Sequence, residues 1–150
     1  MNTSYVFRKK PATIYYSIVE LVTMLGNEKL EVGTADQAQV QEIQHSLFDK
    51  VLANQFCLAP LVASSEKEKL AEGKPTQLKI IDGTQRIEAL SQVINRVSNK
   101  ITSKSKEERR QGCNLLKRLT TTELVVHVFE GLSPEDADQL HIALNTNHRT

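Results

Sequence analysis

The sequence predicts a compact α+β fold, a mixed sheet with flanking helices. Strand-like and helix-like patterns alternate irregularly, the strand-like apolar runs are short, and the longer segments each show one apolar face. A chain of 150 residues is expected to form a single domain, 1–150, with one core.

Ile14 to Val19 is rich in β-branched and aromatic residues and reads as a strand. Glu20 to Leu25 either continues it or forms a short helix, ending at Gly26-Asn27. Thr34-Ala35-Asp36-Gln37 has capping-box spacing and puts Thr34 at the start of a helix. Val40, Ile43, Leu47 and Val51 form its apolar face through about Asn54, with His45 and Lys50 on the wetter side. Phe56 to Ala63 is a second apolar run, with Pro60 best placed at its start or on an edge. Ser64 to Thr76 reads as an exposed, charged connection.

Leu78 to Ile81 is a short apolar run that stops at Asp82-Gly83. A helix follows at once, because Ile87, Leu90, Ile94 and Val97 recur at spacings of three and four. Ser98 to Arg110 carries Lys100, Lys104, Lys106, Arg109 and Arg110 against Glu107 and Glu108; such a run reads as a solvated face, with nucleic-acid contact as the sharper alternative. Its second half, up to Leu119, predicts a helix with Leu115, Leu116 and Leu119 inward. Glu123 to Phe129 is the clearest strand, and apolar residues on both faces predict an interior position. Ser133 as N-cap, Pro134 at N1 and a Leu132–Ala137 staple then start a helix carrying Ala137, Leu140 and Leu144 inward. It runs into the polar segment Asn145 to Thr150, an ending that suggests a piece of a longer protein.

Composition narrows the class. At 39% hydrophobic and 25% charged the chain reads as an ordinary soluble globular protein. Nineteen basic against eighteen acidic residues, a net +1, give no global support for nucleic-acid binding and leave room for a local patch. Cys57 and Cys113 are too few for a disulfide framework or a cysteine metal site; both are expected reduced and buried, which suits the cytoplasm. Arg8-Lys9-Lys10 before Ala12 to Leu25 superficially imitates a signal peptide, but Pro11, Tyr15, Tyr16, Ser17 and Glu20 interrupt the apolar run. No segment approaches a membrane span, so no membrane partner is expected.

The informative stretch is Asp82-Gly83-Thr84-Gln85-Arg86, where strand passes directly into helix. The first amides of a helix have no intrahelical acceptor and can hold an anion. Arg86 is a cation in the first turn, opposed by the helix dipole unless Asp82 or a bound phosphate offsets it. The plain reading is a strand–turn–helix junction in which Gly83 supplies the turn and Asp82 or Thr84 caps the helix. The functional reading has the Gly83, Thr84 and Gln85 amides and the Thr84 hydroxyl holding phosphate oxygens, Arg86 adding charge-assisted bonds, and Asp82 orienting Arg86 or helping to bind a metal ion. Asn145 and Arg149 would form the second wall; the alternative is a frayed helix end. His127 reads as a satisfied core residue and His141 as helical and partly exposed; neither has convincing metal spacing, and no metal site is expected.

Ile81-Asp82-Gly83-Thr84-Gln85-Arg86-Ile87-Glu88-Ala89-Leu90 resembles the Asp-Gly-Gln-His-Arg signature of DGQHR-domain proteins, which include DndB-type proteins of DNA sulfur modification and belong with the ParB/sulfiredoxin-like superfamily. Asp82, Gly83 and Arg86 match, while Thr84 and Gln85 depart from it. Thr84 stands where sulfiredoxins carry a cysteine, so thiol chemistry is not implied. Gln85 removes a cation that ParB proteins carry and matches the Asp-Gly-Gln-Gln-Arg of the DUF262 group. The resemblance implies a ParB/sulfiredoxin-like sheet and a role in DNA modification or phage defence. It implies a DNA-binding regulator that contacts nucleotide or DNA phosphate through Gly83, Thr84, Gln85, Arg86, Asn145 and Arg149. A nucleoside triphosphate with a divalent ion is the implied cofactor, and protein partners would come from the modification system. Two alternatives stand beside it: a ParB- or DUF262-like nuclease or NTPase with Asp82 and Arg86 catalytic, and a non-catalytic interaction module.

Overall fold

The structure, a computed structural model, describes residues 10–53, 55 and 58–148, with side chains through Leu144. It is an α+β fold: β1 (Ala12–Ser17), α1 (Ile18–Gly26), β2 (Leu30–Glu31), α2 (Gln37–Leu52), β3 (Leu61–Ser65), a 3-10 turn (Leu70–Glu72), β4 (Leu78–Asp82), α3 (Thr84–Ile101), α4 (Lys106–Thr120), β5 (Glu123–Glu130) and α5 (Pro134–His148). The sheet order is β1-β5-β3-β4-β2. The β1–β5 and β3–β4 pairs are antiparallel; β3–β5 and β2–β4 are parallel. β5 is interior, as its two apolar faces require.

Alternation along the strands divides the molecule into two layers. Leu61, Ala63, Leu78, Ile80, Leu124, Val126 and Val128 face the main core, where Leu21, Val40, Leu47, Leu90, Val93 and Leu115 pack against them from the helices. The opposite face holds Val62, Ile81 and Phe129, covered by Ala137 and Leu140 of α5. α5 is therefore a separate layer lying over β4.

Several boundaries differ from the expectation for local reasons. The first strand ends at Ser17, because the Ser17 hydroxyl accepts from the Glu20 amide at 3.0 Å and the Glu20 carboxylate accepts from the Ser17 amide at 3.1 Å. That reciprocal cap starts α1 where β-branched Ile18 and Val19 read as strand; the fully buried Ile18 anchors it. The second helix is capped by Asp36 rather than Thr34, its carboxylate accepting from the Ala38 amide at 2.9 Å. Phe56 and Cys57 lie outside the described residues. Cys113 is exposed, not buried, because Gly112 takes the inward position on α4: a Cβ there would stand 2.9 Å from Lys100 Cβ. The 64–76 connection is not wholly exposed; Ser65 ends β3 and Pro75 is buried. No helix among the described residues is long and apolar enough to cross a membrane.

The fold uses Arg109 of the basic run, and Arg118 beyond it, while Lys104, Lys106 and Arg110 stay exposed. Arg109 donates to the Ser103 and Lys104 carbonyls, both at 2.9 Å, closing the α3–α4 turn. Arg118 donates to the Val51 and Leu52 carbonyls at 2.8 and 3.1 Å, satisfying the C-terminus of α2.

Tyr16 ties β1 to the 64–76 connection. Its hydroxyl donates to the Pro75 carbonyl at 2.6 Å, and its ring lies under the Lys74 ammonium, which in turn pairs with Glu20 at 2.8 Å. The hydrogen-bonded Lys74 ammonium holds the Glu20 carboxyl below its ordinary value. Burial, helped by the Glu20 charge, pushes the Tyr16 phenol up to about 12 from its ordinary 10.0. The folded state thus keeps a proton that the unfolded chain releases, so this contribution is full below the ordinary value and is lost as pH rises through the folded one. Tyr16→Phe is expected to cost about 1–2 kcal/mol at neutral pH, because the Pro75 carbonyl loses its donor. It should also flatten the fall in stability at alkaline pH, read from urea unfolding at pH values of roughly 9 to 12.

Candidate functional site

The Asp82–Arg86 turn forms the floor of a cleft of about 750 Å³. The β2–α2 segment at Val32, Gly33 and Thr34 makes one wall, and α5 makes the other through Ala137, Asp138 and His141. Three elements remote in sequence meet here because β4, the strand before the turn, lies beside β2 and beneath α5.

Gly83 makes the junction possible. Its φ of 114° is in the left-handed region, and a Cβ there would stand 2.3 Å from Leu61 Cδ2. With Gly83 as N-cap, the first intrahelical bond is from the Ile87 amide to the Gly83 carbonyl at 3.0 Å. The Thr84, Gln85 and Arg86 amides precede that bond and have no intrahelical acceptor. Among the described residues no side-chain hydrogen bond caps this helix; the Asp82 carboxylate accepts from Arg86 and the Thr84 hydroxyl accepts from the Gly33 amide instead.

Arg86 is held by protein groups. Its Nη2 donates to Asp82 Oδ2 at 3.0 Å, and its Nη1 donates to the Ala59 and Pro60 carbonyls at 3.0 and 3.3 Å. Both side chains of the pair are largely buried, at 19% and 16% exposed. Asp82 therefore supplies the offset that a cation in a first helical turn needs, and the pair secures the β3 end beside the turn. The Thr84 hydroxyl accepts from the Gly33 amide at 3.4 Å, drawing the β2–α2 segment to the cleft and leaving its own proton for donation.

Lys79 is the residue that the motif does not reveal. It sits on β4, three positions before Asp82, half-buried and lining the cleft, with no ion pair among the described residues. Strand alternation puts it on the α5 face with Ile81, while Leu78 and Ile80 enter the main core. The signal was present as a lysine between apolar neighbours. Glu31 and Asp138 also line the cleft. His141 Nδ1 lies 2.7 Å from the Ile81 carbonyl; since a carbonyl only accepts, Nδ1 carries the proton. His127 lies away from the cleft, its Nδ1 3.4 Å from the Thr13 hydroxyl.

Of the expected residues, the structure brings Asp82, Gly83, Thr84, Gln85 and Arg86 to one cleft. Asn145 falls in the last turns of α5 with its side chain outside the described set, and Arg149 lies outside the described residues; the described wall is Ala137, Asp138 and His141. Among the described residues no group of three or more His, Cys, Asp or Glu side chains could hold a metal ion. No family model, curated protein or solved structure gives a significant match to the chain.

Two substitutions test the junction. Gly83→Ala is expected to lose about 2–4 kcal/mol, combining left-handed strain with the clash against Leu61. Arg86→Ala should lose about 1–3 kcal/mol through its charge-assisted bonds. Both are read from urea unfolding midpoints at unchanged slope.

Proposed function

We propose that this cleft binds a phosphate-bearing ligand, a nucleotide or a nucleic-acid phosphate, and that the protein acts as a cytoplasmic DNA-modification or phage-defence factor of the DGQHR/ParB-like type. The observation that carries the binding reading is the convergence on one cleft of the unpaired α3 amides, the Thr84 hydroxyl and Lys79. Amides at a helix N-terminus and a nearby ammonium suit phosphate oxygens. Arg86 holds the turn in shape, its charge offset by Asp82 and its other donors on the Ala59 and Pro60 carbonyls just before β3.

Glu31 and Asp138 on the cleft lining offset these cations, which favours a phosphate arriving with a divalent counter-ion over a bare anion. The regulatory reading is preferred to a catalytic one because Asp82 is engaged in holding Arg86. The DNA-modification context, with protein partners from such a system, rests on the Asp82-Gly83-Arg86 resemblance.

Calorimetric titration of pyrophosphate, ATP, CTP and a short DNA duplex, each with and without magnesium, tests the proposal. Lys79→Gln should weaken phosphate binding roughly tenfold by removing one charge-assisted contact, and should leave the unfolding midpoint nearly unchanged. Duplex binding, where present, should weaken with rising salt as counterion release requires. Equal affinity in wild type and Lys79→Gln, or no binding of any of these ligands, would refute the cleft as a phosphate site.

A further inference from the structure

We propose that a second ligand site, built for a purine base, lies in the groove between α2 and α3. Its centre is Gln44, only 3% exposed and without a hydrogen-bond partner among the described residues. No buried side-chain nitrogen or oxygen in the described chain is both sealed and unpaired, so the Gln44 amide must open into the groove it lines. A buried amide with no protein partner is costly unless water or a ligand satisfies it.

The groove has a volume of about 350 Å³, at the lower end of the roughly 300–1,000 Å³ of small-ligand pockets. Gln41, His45, Gln92, Asn95 and Asn99 line it beside Gln44, and no carboxylate among the described residues does; Gln41 Nε2 donates to Gln92 Oε1 at 3.1 Å across the groove. The amides of Gln44, Asn95 and Asn99, which have no side-chain hydrogen bond among the described residues, pair a donor with an acceptor and match the edge of adenine, to which Asn and Gln bond bidentately. The Arg96 guanidinium carbon sits 3.8 Å over the Phe48 ring, which holds the group at the groove as a stacking surface or a donor edge. Lys100, 5.8 Å over the same ring, has its ammonium on Gln111 Oε1 at 3.1 Å, which leaves the groove to the neutral amides and Arg96. A bare anion would find mainly neutral groups here, and an extended peptide would need a longer groove than this one. The base has two sources, a free nucleotide or a single nucleic-acid strand, both presenting the same ring edge.

The site is separate from the cleft at Asp82–Arg86, and its test keeps the two apart. Side-chain amide signals of the 15N-labelled protein are followed by NMR during titration with adenosine, with AMP, with a short oligo-dA strand and with inorganic pyrophosphate. Adenosine is expected to shift the Gln44, Gln92 and Asn95 side-chain signals, whereas pyrophosphate should shift only the Thr84 and Gln85 backbone amides. Tighter binding of oligo-dA than of AMP assigns the site to a strand; equal binding assigns it to a nucleotide. Asn95→Ala, an exposed substitution, should weaken adenosine roughly fivefold, and Gln44→Leu should abolish its effect on the remaining groove signals. An adenosine response confined to Thr84 and Gln85, self-association or peptide binding through these amides in place of a base response, or no response, would overturn the proposal.

Discussion

Leu61 of the central strand presses against the α-carbon of Gly83, and Arg86 fastens the turn to the chain that leads into that strand. Between them these contacts set where β3, β4 and α3 stand relative to one another. Leu61 is fully buried, so the strand cannot retreat from Gly83 without opening the core. The left-handed backbone at Gly83 turns the chain sharply enough for α3 to lie back over the sheet. The first α3 amides lack an intrahelical acceptor as a consequence of that turn, and no side chain among the described residues caps them.

The cations divide by chemistry. Arg86, Arg109 and Arg118 each place guanidinium donors on backbone carbonyls, and Arg96 stacks on Phe48. A planar fork can bond two acceptors at once or lie flat on a ring, so these residues join segments of the fold. Lys79 has a single point charge on a flexible stem and meets the cleft beside Glu31 of the neighbouring strand, with no close ion pair among the described residues. Positive charge in the sequence is therefore a poor guide to ligand contact in this chain; whether the donors are already satisfied decides it.

Both candidate sites follow from α3. Its first turn forms part of the cleft and its middle forms one side of the amide groove, while α2 supplies neighbours to both. Gln41 Nε2 donates to Gln92 Oε1 at 3.1 Å across the helix pair, tying the two sides of the amide groove together. Burial of Val40, Leu47, Val51, Leu90, Val93 and Val97 beneath that surface keeps the two helices in register.

Local physics made most of the fold legible in the sequence. The period of Ile87, Leu90, Ile94 and Val97, the two apolar faces of β5 and the Ser133-Pro134 start of α5 depend only on neighbours in the chain, and each element stands where its pattern put it. The junction at Asp82–Arg86 was legible for the same reason. Ile18 and Val19 misled because intrinsic strand preference yields to a reciprocal cap at Ser17 and Glu20. Only the tertiary structure could decide which groups surround the turn. Sheet order brings β2 beside β4, layer assignment sets α5 over Ile81, and together they make the Lys79 face of β4 the lining of a cleft. Those placements come from long-range packing, which residue spacing along a single chain does not encode.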